Sequence, residues 1–91
     1  MNRRLDRDLL NNTAPDRVAR AVMGILNAMQ DFAPHDQVLA SAAVFRELAD
    51  HWRVSPSDAF TAVSNITHHR DGSRRPEFLA VRPYIENELG A

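Results

Sequence analysis

The sequence predicts an all-α fold: a small helical bundle with an antiparallel αα-hairpin, a third capped helix and a proline-broken C-terminal helix. Apolar residues recur at steps of three and four along most of the chain, the period of a helix with one buried face. Pro15, Pro34 and Pro56 each open such a run, where a helix loses nothing by lacking an N–H. The one strand-like run, at 78–81, has no partner run elsewhere in the chain.

Residues 1–12 read as an N-terminal arm or short helix. Leu5 and Leu9 are four apart, and Arg4 and Asp8 are spaced for an ion pair. Residues 13–91 read as a single helical domain. Thr13 and Asp16 are close to a capping box, with Asp in place of Glu. Val18, Val22, Ile25, Met29 and Phe32 then mark one stripe of a helix of about five turns. Gly24 falls inside it, at a cost of about 1 kcal/mol against Ala, and is expected to permit a close helix crossing.

Pro34 ends that helix and starts the next, and so short a link makes the two helices antiparallel neighbours. Val38, Ala42, Phe45, Ala49 and Trp52 repeat the stripe, with Leu39 and Leu48 beside it. Its Ala positions are expected to receive Ile, Met and Phe from the first helix. Ser55-Pro56-Ser57-Asp58 is the clearest local signal: Ser55 as N-cap, Pro56 in the first position, Asp58 near the positive helix end. Ala59, Ala62, Val63 and Ile66 line one face of the third helix, with Phe60 adjacent, and His68 and His69 are expected in its last turn. After the turn-rich run 70–76, a short helical piece is expected at 76–82, then a break. A final helix from Pro83 to Leu89 would be stopped by Gly90.

Composition limits what the chain does. Its 91 residues make one domain with a small core and no room for a deep substrate cavity. A net charge of −1 provides no global field to draw it to nucleic acid or anionic lipid. With no Cys there are no disulfides or thiolate metal sites, which fits a reducing compartment. No apolar run is long enough for a membrane span, and MNRRLDRDLL lacks the apolar core of a signal peptide. A cytoplasmic location is the expectation. Every basic side chain is Arg, which pairs bidentately with carboxylates and suits protein contacts.

No catalytic motif is present: no phosphate loop, no dinucleotide fingerprint, no nucleophile elbow, no zinc helix. The chain is not expected to be an enzyme or to hold a cofactor or metal. His68 and His69 diverge by about 100° if helical and match no metal spacing. The stretch from Leu48-Ala49 through Trp52 and Val54-Ser55 resembles the helix-turn-helix of bacterial repressors. Arg53 stands where that family usually has a turn Gly, and the start of the third helix offers Ser57, Asp58 and Thr61 rather than Arg or Lys. Arg70, Arg74 and Arg75 flank Gly72 on a loop suited to an acidic partner surface or phosphate. Trp52 and Phe60, on either side of the break, are candidates for a partner surface rather than core.

Phe45-Arg46-Glu47-Leu48-Ala49-Asp50, then Val54 to Phe60, then Asp71-Gly72 and Pro76-Glu77-Phe78 resemble small all-helical proteins of bacteriophage and prophage genomes. That resemblance implies a class of action: binding to and redirecting or blocking host machinery. The expected function is therefore a non-enzymatic binding protein, an accessory or inhibitory factor that masks a surface of a larger host or defence protein. Trp52, Arg53, Phe60, Arg70, Arg74 and Arg75 are its expected contact residues, and a homodimer is compatible with it. The alternative is a dimeric helix-turn-helix regulator that binds DNA.

Overall fold

The computed structural model describes residues 4–89, and their helices confirm the all-α class. Asp6 opens α1 (Arg7–Asn12), its carboxylate accepting the N–H groups of Asp8 at 2.9 Å and Leu9 at 3.3 Å. The expected Arg4–Asp8 ion pair does not form. Instead α1 packs on α4, and the Arg7 guanidinium donates to the Arg53 carbonyl at 2.7 Å. The arm is thus tied to the body of the protein at the α3–α4 turn.

Helix α2 (Pro15–Ala28) starts at Ala14 with no side-chain cap. The Thr13 hydroxyl donates backward, to the Leu9 carbonyl at the end of α1, so the expected capping box is replaced. Asp16 pairs instead with Arg20 at 3.0 Å. The helix also ends a turn earlier than its apolar stripe suggests. Gln37 donates its side-chain amide to the Met29 and Phe32 carbonyls at 3.2 and 3.0 Å. These bonds satisfy carbonyls that the helix end leaves free, so Met29 and Phe32 sit in the turn.

Helix α3 (Pro34–Trp52) stops at Arg53, whose backbone is left-handed (φ 56°, ψ 46°). A non-glycine residue there costs on the order of 1 kcal/mol. The Val54 N–H closes the end on the Ala49 carbonyl at 2.9 Å, and the Val54 side chain is buried. Helix α4 (Pro56–Thr67) has the predicted cap: the Ser55 hydroxyl accepts the Asp58 N–H at 3.1 Å. Ser55→Ala should cost about 1 kcal/mol, a drop in Tm of about 4–8 °C in a thermal melt.

His68 and His69 fall beyond α4 rather than in its last turn. They begin a tight return in which the Arg75 N–H bonds the Thr67 carbonyl and the His69 N–H bonds the Ser73 carbonyl, both at 2.8 Å. Gly72 makes the turn at φ 86°. The strand-like run forms no strand: a 3-10 turn (Pro76–Phe78) covers its first residue and α5 (Val81–Tyr84) begins at its last, continuing into a π-helical turn (Ile85–Leu89). Pro83 therefore does not break this helix. It is the third helical residue, where the N–H has no intrahelical acceptor to lose. Gly90 lies outside the described residues.

The core is displaced from the expected place. Ala19 of α2, Ile66 of α4 and Phe78 of the 3-10 turn are buried together, with Val18, Val22 and Val81 packed on them. A second buried corner joins α3 to α4 through Ala49, Val54 and Ala62. Tyr84 ties the C-terminal segment to the end of α2, accepting from the Gln30 amide at 2.7 Å and donating to Asn27 Oδ1 at 3.2 Å. Helix α3 contributes little to this core, and its Ala40, Ala42 and Ala43 receive no Ile, Met or Phe. Gly24 does not mark a crossing either, because a Cβ there would meet nothing within 4 Å. Gly24→Ala should therefore stabilise the protein by about 0.5–1 kcal/mol, read as a raised denaturation midpoint.

Candidate interaction surface

Helices α2 and α3 meet at their shared turn, where Gln37 bonds the Met29 and Phe32 carbonyls and Ser41 reaches the Met29 sulfur. Between them lies an apolar groove of about 380 Å³. Ile25, Met29 and Phe32 form one wall; Ala40, Ser41, Val44, Phe45 and Leu48 form the other. None of these residues is buried: Val44 is 59%, Ile25 56% and Leu48 52% exposed. Apart from Ser41 the groove is lined by apolar side chains, with no charged group, so water there is poorly held and an apolar partner group would displace it favourably.

The remainder of α3 is equally uncovered. From Val38 to Phe45 the helix carries no charge and is apolar on nearly every face, a pattern found in helices enclosed by protein. Here Val38 and Leu39 are the most exposed large apolar residues, at 69% and 66%. The whole chain exposes 7268 Å², against about 5,400 Å² for a compact monomer of its mass. Its radius of gyration is 14.0 Å, against about 12 Å expected.

The sequence-predicted contact residues do not form one site. Phe60 is exposed and packs against the groove-wall residue Phe45, with ring centroids 5.1 Å apart and planes tilted by 49°, so it extends the apolar surface beyond the groove. Trp52 is half-buried at the end of α3, edge-on to His51 at 4.6 Å. Arg53 is exposed, but its backbone is engaged by Arg7. Arg70 and Arg75 meet across a polar cavity of about 590 Å³ beyond the end of α4, shared with Ser64, Asn65, His68 and His69. Arg74 turns the other way, toward Val18, Phe78 and Val81.

Asp71 does not neutralise these arginines. Its carboxylate accepts the Ser73 hydroxyl at 2.6 Å and the Ser73 N–H at 2.9 Å. The hydroxyl bond, followed by the backbone bond, holds its pKa below the ordinary carboxylate value. Protonation of Asp71, and loss of these turn bonds, is thus confined to pH below the usual carboxylate range. Arg75 donates through Nε to the Asn65 carbonyl at 3.3 Å, and among the described residues neither Arg70 nor Arg75 is salt-bridged.

Known protein families, curated proteins and solved structures contain no match to this chain. Function therefore has to be read from the surfaces themselves. Among the described residues no three His, Asp or Glu side chains could hold a metal ion, and no helix is long and apolar enough to cross a membrane. Sequence reasoning placed Ile25, Phe32 and Leu48 on core-facing stripes. The signal that could have placed them outside was the uncharged run from Val38 to Phe45, which a chain of this size cannot enclose on all sides.

Proposed function

We propose that the chain is a non-enzymatic binding protein that takes an apolar segment of a larger protein into the α2–α3 groove. The carrying observation is that uncharged groove, solvent-exposed along both walls. An amphipathic helix with anchors at steps of three and four fits such a groove, as in other helix-in-groove recognition. Arg70 and Arg75, without a salt bridge among the described residues, supply a second contact for acidic groups of the same partner. Covering a functional surface of that partner is how so small a protein acts as an accessory or inhibitory factor. The phage-like stretches Phe45–Asp50 and Val54–Phe60 favour a host or defence component as the target.

A tagged capture from lysate, half of it nuclease-treated, tests this reading. One protein enriched equally in both halves is expected. Enrichment that disappears with nuclease would contradict it.

One observation favours a second reading as a DNA-binding helix-turn-helix. Arg53 adopts the left-handed backbone that such a turn normally gives to Gly. The charge pattern opposes it: α4 has no Arg or Lys, carries Asp58 in its first turn, and exposes Phe60 and Val63. The absence of a mobility shift with duplex DNA at low salt would eliminate it.

A further inference from the structure

We propose that two copies of the chain pair through α3, antiparallel about Ser41, on the face turned away from the groove. One strip forms this face: Asp36, Leu39, Ala43 and Arg46 follow at steps of three, four and three. It is centred at the level of Ser41: Asp36 and Arg46 are equidistant from that point, and so are Leu39 and Ala43.

A two-fold axis at that point sets Asp36 of each copy beside Arg46 of the other. It sets Leu39 against Ala43, large against small. An isologous interface requires this match of a surface to its own reverse, and an unrelated partner has no reason to produce it. The surface is available: Leu39 is 66% exposed, and Asp36, Ala43 and Arg46 are exposed on the same face. Asp36 meets only its neighbour His35, at 3.5 Å, and Arg46 has no ion pair among the described residues.

Antiparallel pairing also places each helix end beside the opposite dipole end. A net charge of −1 leaves two copies without long-range repulsion. The chain exposes about 1,900 Å² more than a compact monomer, more than the ~800 Å² each partner gives to a standard interface. Pairing here leaves Ile25, Phe32, Val44 and Leu48 free, so the dimer would present two grooves, and it does not depend on what fills them.

The test is the mass of the full chain by light scattering and sedimentation across a concentration series. A dimer is expected. Leu39→Glu should be monomeric where the wild type is dimeric, with an unchanged circular dichroism spectrum because the residue is exposed. Asp36→Arg and Arg46→Glu should each weaken pairing by about tenfold or more, through like charges brought together, and the double variant should restore it. A monomer at every concentration, or a dimer indifferent to Leu39→Glu, would overturn the proposal. Failure of the double variant to restore pairing would overturn its antiparallel register. Neither result bears on capture of a partner by the groove.

Discussion

Phe78→Ala is expected to bring the protein to the edge of unfolding. Phe78 is 3% exposed and is the largest side chain in a core whose other buried members are Ala19 and Ile66. Removing its ring forfeits the transfer free energy of the ring and leaves a cavity that α2, α4 and the 3-10 turn cannot all close. Such truncations cost about 3–5 kcal/mol. A domain of this size has a total stability of roughly 5–13 kcal/mol, and this one has few other large buried side chains to compensate. Thermal denaturation should show Tm lowered by at least about 15 °C, or loss of a cooperative transition. A shift of only a few degrees would mean that the core lies elsewhere.

Val44→Glu should have the opposite profile. Val44 is 59% exposed on the wall of the groove, so a polar side chain there is already solvated in the free protein. Glu also has the higher helix propensity, and the change in stability should stay within about 0.5 kcal/mol. In the complex the same carboxylate would be buried among Ile25, Met29, Phe45 and Leu48, with no cation in the groove to pair it. The penalty for an unpaired buried charge should raise Kd by about 100-fold or more. Titration of a captured partner against wild type and variant, with a thermal melt of both, separates the two effects. Equal affinities would exclude the groove as the contact.

The helices and their starts were legible because their determinants are local. Pro34, Ser55 and Pro56 act through their own backbone and a bond three residues away, and the structure places them as expected. Misplaced helix ends have longer-range causes. Met29 and Phe32 leave α2 because Gln37, on the next helix, takes their carbonyls. Thr13 turns back to α1 instead of capping α2. Pro83 was taken as a break because its distance from the helix start depends on where the 3-10 turn ends.

The larger difference concerns burial. The apolar stripes of α2 and α3 were read as facing each other, since periodicity identifies an apolar face without naming what covers it. Val18 and Val22 at the start of α2 are covered by α4 and Phe78; Ile25 and Phe32 at its end are not. The Arg loop was legible as a loop, but which arginines share a side was not. Arg74 and Arg75 diverge on an extended backbone, while Arg70 and Arg75 meet because Gly72 turns the chain.

Hydrogen–deuterium exchange of the chain, alone and with its captured partner, tests the groove most directly. Added protection is predicted over residues 25–32 and 40–48, the two walls. Protection confined to 68–75, or none at all, would contradict a groove-bound partner and move the contact to the Arg70–Arg75 cavity or off the molecule.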